Sequence, residues 1–181
     1  MTTHPVSELS KTELIDKAIA LAKAGKGTGG PPHDQVGELM RAYYRHVAPE
    51  DLVDRTDADV YGAFAAHYRL AGNRPQGTAN VQVTTPTLAE HGWSASGHSV
   101  VTVVVDDMPF LVDSVSMEVT RNGYGIHLAV RPILAVRRDG DGRLLAVGEG
   151  DPESLIHLEI DRQTDPALLE ALHADLVRVL G

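Results

Sequence analysis

Apolar residues recur at Leu14, Ile15, Ala18, Ile19 and Ala22, a spacing that draws one stripe along a helix. Ser10-Lys11-Thr12-Glu13 carries capping-box spacing ahead of it, and Gly25 is placed to stop it. Helical spacing resumes with Val36, Leu39, Met40 and Tyr43 and ends near His46. Pro49-Glu50-Asp51-Leu52 opens a short turn of helix with proline at its start. Val60, Phe64, Ala65 and Tyr68 predict a further helix over residues 57–71, ended by Gly72-Asn73. The pattern up to residue 76 is therefore a small helical assembly without an internal repeat.

At Gly77 the period changes. Residues 79–84 alternate like a strand, and 98–105 form an almost unbroken β-branched run that suits a central strand buried on both faces. Asp106-Asp107-Met108-Pro109 breaks that run, with Asp107 as an N-cap and Pro109 in the first turn of a helix. Leu111, Val115 and Val119, spaced by four, predict that helix over 110–122, and Asn122-Gly123 stops it. Residues 126–138 read as one long strand with Ile126, Leu128, Val130, Leu134 and Val136 on one face. Pro132 inside it calls for a sheet edge or a bulge. Asp139-Gly140-Asp141-Gly142 is a hairpin turn into a strand over 143–147. Ile156, Leu158 and Ile160 alternate in a last strand over 155–160, and Asp165-Pro166 opens a helix with Leu169, Leu172, Leu176 and Val179 in line. From His98 onward the order is βαββα, one strand short of the ferredoxin-like pattern. Either the chain stops before that strand, or residues 79–84 fill the edge; the second reading is favoured.

Composition narrows the class. The 181 residues are 43% hydrophobic, enough for a core, and contain no cysteine, which excludes disulfides and thiolate metal sites. Sixteen basic against 25 acidic residues give a net charge of -9, which disfavours nucleic-acid or anionic-lipid partners. No stretch approaches the ~20 apolar residues that cross a bilayer. A cytoplasmic module is expected.

Several patterns touch on chemistry. Gly25-Lys26-Gly27-Thr28-Gly29-Gly30 satisfies G-x-G-x-x-G, but a helix precedes it and Pro31-Pro32 follows, so it reads as a linker over 25–34 rather than a dinucleotide loop. Asp106, Asp107 and Asp113 resemble a cation cluster, yet caps and favourable helix-dipole charges account for them, and no metal is expected. Ser114, His98 and Asp106 lie close enough in sequence to name as a hydrolase triad, although no Gly-x-Ser-x-Gly elbow is present. His91, Trp93 and His98 read as a packing cluster, and His127 and His157 fall on strand positions facing solvent or a partly covered side. Arg131, Arg137, Arg138 and Arg143 form a basic patch, read as a solvated edge or as a docking surface for an acidic module or protomer.

The run 106–118, with Arg121-Asn122-Gly123-Tyr124-Gly125-Ile126-His127-Leu128, Arg131-Pro132-Ile133-Leu134 and the upstream His91-Gly92-Trp93, resembles the N-terminal region of the large bacterial NAD-specific glutamate dehydrogenases. The resemblance spans about residues 52–160. It implies an α+β fold, an ACT-like antiparallel sheet (βαββα plus an extra strand) with helices on one face, preceded by the helical assembly. The expected divisions are a helix at 1–24, the linker at 25–34, a helical segment at 35–76 and the ACT-like domain at 77–181. It further implies a non-catalytic regulatory or assembly segment without catalytic residues or a cofactor of its own, NAD belonging to the parent enzyme. Downstream domains of the same chain, a homo-oligomer and an amino-acid effector are the implied partners. ACT modules carry an Asp-x-Pro-Gly turn where small ligands approach the backbone, so the implied ligand candidates are Asp106, Asp107, Met108, Pro109, Phe110 and Leu111. Phe110 stands where the pattern has glycine, and its side chain is expected to fill or cover that approach.

Overall fold

Every residue from Ser99 to Val105 is buried, which requires cover on both faces of the strand they form. The computed structural model describes residues 8–25 and 30–181 and supplies that cover. The elements are α1 (Glu8–Lys23), α2 (Val36–Tyr43), α3 (Pro49–Leu52), α4 (Asp57–Leu70), β1 (Asn80–Thr84), α5 (Leu88–His91), β2 (Ser99–Asp106), α6 (Leu111–Arg121), β3 (Ile126–Val130), β4 (Ile133–Arg138), β5 (Leu144–Val147), β6 (Asp151–Ile160) and α7 (Pro166–Leu180). The strands form one antiparallel sheet in the order β1-β2-β6-β4-β5, with β3 also paired to β6. The fold is α+β and consistent with an ACT-like domain. β1 lies beside β2, in the position of the closing strand of a ferredoxin-like sheet, as the favoured reading of residues 79–84 has it.

On one face, Val101, Val103 and Val105 of β2 and Ile156, Leu158 and Ile160 of β6 pack under Leu111, Val115 and Val119 of α6 and Leu172 and Leu176 of α7. On the other, Val104, Leu128, Val130 and Leu155 join Ile15, Ile19, Met40, Tyr43 and Phe64 of the N-terminal helices in a second core. The helices that precede the sheet in sequence therefore also roof its second face. Trp93 fastens this roof beside β2. It is 6% exposed, packs with Ala63, Ala95 and Val100, and lies where a Cβ on Gly62 of α4 would stand 2.2 Å from its ring.

Local differences from the sequence reading have physical causes. Pro132 splits the expected strand at 126–138 into β3 and β4 while its carbonyl still accepts from the Leu155 N–H. β3 lies on the rim with a register shift, whereas β4 is interior, between β6 and β5. α1 begins at Glu8, so Ser10 lies inside the helix and the capping-box reading fails. Lys11 is buried because its Nζ donates to the carbonyls of Val47 (2.7 Å) and Arg45 (3.1 Å), closing the loop after α2. The short α5, capped by Thr87, was not foreseen. Of the expected linker, residues 26–29 lie outside the described residues.

The largest correction concerns His157, expected to face solvent or a partly covered side, which is 2% exposed on a fully covered one. It donates from Nε2 to Glu159 Oε2 at 3.0 Å, and Glu159, 1% exposed, also takes a bidentate fork from Arg55 at 2.6 and 2.6 Å. Arg55 comes from the loop between α3 and α4. Burial alone would raise the Glu159 pKa, but the hydrogen bonds from His157 and Arg55 outweigh it and hold the carboxyl at about 2. His67 of α4 sits deeper, between the Tyr43 hydroxyl (2.7 Å) and the Val103 carbonyl (2.9 Å), and burial pushes it down to about 3.

Glu159→Gln is expected to destabilise the fold by about 3 kcal/mol, read by urea denaturation, because it strips the buried fork of its charge. The unfolded chain protonates His67 near its ordinary 6.5 but the folded chain only near 3, so the unfolded state binds more protons in that window. Stability should therefore fall as pH drops from 6.5, by up to about 1.4 kcal/mol per unit, with Glu159 adding a second proton below its ordinary 4.5. In the His67→Gln variant the decline above pH 4.5 should flatten.

Candidate functional site

β2 ends at Asp106, and the chain must turn sharply to start α6 at Leu111 and lay its apolar stripe back over the valines. The turn is made at Phe110, the N-cap residue, with φ 66 and ψ 14 in the left-handed region. Of the described residues only Ser96 and Phe110 have positive φ without being glycine. The backbone conformation that a glycine adopts freely is thus kept by a phenylalanine at a cost of about 1–2 kcal/mol. The Phe110 side chain is 77% exposed.

Around this turn opens a crevice of about 310 Å³ lined by Asp107, Met108, Phe110, Leu111, Arg131 and Ile133, among others. Met108 and Ile133 are also exposed, at 48% and 59%. The Asp107 carboxylate does not cap α6; it accepts from Ser154 Oγ on β6 at 2.9 Å, which ties the turn to the sheet. Arg131, from the break between β3 and β4, is exposed and has no carboxylate partner among the described residues. The crevice therefore offers a free guanidinium, two carboxylates (Asp107 and Asp113) and an apolar rim, which suits recognition.

The other candidates disperse. Asp106 lies outside this crevice and accepts from Arg74 at 2.6 Å. His98 precedes β2 and Asp106 ends it, ~26 Å apart at strand rise, so Ser114, His98 and Asp106 cannot form a triad. No group of three or more His, Asp or Glu among the described residues is placed to hold a metal ion. His98 stacks on His127, with ring centres 4.3 Å apart, and stands 3.6 Å from Glu159, beyond hydrogen-bond reach. His127 pairs with Asp161 at 2.6 Å, and His91 accepts from the Thr87 N–H.

The basic patch is not continuous. Arg137 pairs at the surface with Glu149 and Arg143 is exposed, but Arg138 turns inward and is only 10% exposed. It grips Glu153 with two bonds of 2.9 Å, and Arg74 grips the same carboxylate at 2.7 and 3.2 Å. Burial would raise the Glu153 pKa, but hydrogen bonds from Arg138 and Arg74 hold it below the usual range. Sequence reasoning missed Arg74, Arg55 and Glu159 altogether. The one available signal was polar residues on one face of a strand, Glu153, His157 and Glu159, in phase with Leu155.

The family model for the glutamate dehydrogenase ACT1 domain matches residues 39–176. The chain belongs to this family. Two curated relatives are named NAD-specific glutamate dehydrogenase: that of Halomonas elongata is 37% identical over 153 residues, and that of Pseudomonas aeruginosa 34% over 154. Each match covers 81% of this chain but only 9% of the relative, so the chain corresponds to a small part of those proteins. The matched region contains the whole sheet, the Phe110 turn and both arginine–glutamate clusters.

Phe110→Gly is expected to raise stability by about 1 kcal/mol through release of backbone strain, whereas Phe110→Ala keeps the strain and gains nothing. Thermal denaturation of the two variants side by side separates these outcomes.

Proposed function

We propose that this ACT1 domain is a non-catalytic regulatory and assembly segment of a large NAD-dependent glutamate dehydrogenase. The parent enzyme would convert L-glutamate, NAD and water to 2-oxoglutarate, ammonium and NADH in the cytoplasm, with NAD and the reacting groups held by downstream domains. The observation that carries this reading is the exposed apolar rim of Met108, Phe110 and Ile133 beside the unpaired Arg131, held out by a strained backbone. Contiguous apolar exposure next to an uncommitted charge is what a docking surface presents before its partner arrives. Arg131 is the cation placed to serve it.

A second reading is an amino-acid effector site in the same crevice. The free guanidinium of Arg131, within a cleft of about 310 Å³, favours it, since a planar fork matches an α-carboxylate.

Calorimetric titration with the common amino acids divides the two: silence throughout supports docking, and heat that Arg131→Ala abolishes supports the effector. For the parent enzyme, deletion of residues 1–181 should change oligomeric mass or effector response while leaving measurable NADH formation. Unchanged mass and response would overturn the proposal.

A further inference from the structure

At the end of β2 away from the Phe110 crevice, His98, His127 and Asp161 form a cluster of ionisable side chains on three separate segments. His127 reaches His98 because β3 is irregular there. Ile126 pairs with Ile160 and Leu128 with Glu159, so His127 is the extra residue of a bulge on the rim strand. A bulge re-aims its side chain, and this one lays the His127 ring flat on His98, with 4.3 Å between centres and 4° between planes.

Asp161, just beyond β6, fixes the His127 ring through Nε2 at 2.6 Å and takes the Gly125 N–H at 2.8 Å on its other oxygen. His98 is presented by a loop that turns through two left-handed residues, Ser96 (φ 55) and Gly97 (φ 80), and closes with the His98 N–H on the Ala95 carbonyl at 3.0 Å. The stack thus ties the loop that carries Trp93 to the rim strand.

The inner edge of His98 decides how this contact responds to a proton. Its Nδ1 is buried and has no hydrogen-bond partner among the described residues; Glu159 Oε1 stands 3.6 Å away. A neutral imidazole tolerates this by carrying its proton on the other nitrogen. An imidazolium does not, because both nitrogens then donate and a buried charged donor without an acceptor is costly. The ring satisfies Nδ1 by moving toward Glu159, which takes it off His127. A cation on His127, beside Asp161, pushes in the same direction. The other charges around the pair are Arg55 and His157, which share the Glu159 carboxylate, Arg162, which donates to the Gly97 carbonyl, and Asp59 of α4, which takes the Ser94 N–H.

We propose that the His98–His127 stack is a pH-sensitive clasp: a proton taken up by His98 draws its ring to Glu159, parts the stack and releases the bulged end of β3 from the Trp93 loop. Glu159 is then shared between His98 and Arg55, so the same proton loosens the fork that holds the helical roof. The clasp does not depend on the role assigned to the Phe110 crevice.

Amide exchange of the 181-residue chain, followed in β3 and β2 from about pH 7.5 to about pH 5.5, spans the range in which imidazole takes its proton. The β2 amides report the whole-chain loss of stability that His67 brings, and the β3 amides should lose at least about tenfold more protection than they do. His98→Phe keeps a ring in the stack and cannot take the proton, so the excess should vanish while the pattern at neutral pH stays. Should that variant not fold, the unsubstituted chain still decides: the ring-current shifts that His98 and His127 impose on each other should collapse over the same span. Protection lost in parallel by β3 and β2 overturns the proposal, as do ring-current shifts that persist in acid or an excess that survives His98→Phe.

Discussion

The structure depends on the neutralisation of carboxylates beneath a roof of helices. Glu153 and Glu159 project from the same face of β6 as Leu155, and neither can be buried there as a bare charge. Arg74 and Arg138 hold the first and Arg55 holds the second. Arg55 and Arg74 follow α3 and α4, so each pair joins the helical layer to the sheet. Without them the second face would stay open, and Val100, Thr102 and Val104 would have no reason to be as buried as the valines opposite.

This arrangement also explains what the sequence made legible. The β-branched run at 99–105, the four-residue period of Leu111, Val115 and Val119, and the Asp-Gly turn before Leu144 each state their structure through apolar period or turn chemistry. Asp139 does what such a turn requires, accepting from the N–H groups of Asp141 and Arg143. The second face was hidden because burial of Glu153, His157 and Glu159 rests on partners distant in sequence; Arg55 and Glu159 are 104 positions apart. Alternation of polar and apolar residues reads as an exposed face unless the charge that cancels it is known.

The candidate site was legible in position and not in form. The Asp-x-Pro sequence and the carboxyl end of a central strand marked the place. Two features escaped: that Phe110 would take up a left-handed backbone with its ring exposed, and that Arg131 would line the same crevice. The first is a local strain imposed by the sharp return of α6. The second follows from the break at Pro132, which frees Arg131 from the strand. The basic cluster imagined from spacing instead divided, because neighbouring strand residues point to opposite faces: Arg138 went inward and Arg137 out.

Trp93 is the chain's single tryptophan, and it is wedged against Gly62 where the helical roof meets β2. Its fluorescence is thus a built-in gauge of that seam. Parting of roof and sheet would wet the indole and move its emission to the red, even while the far side of the sheet stayed intact.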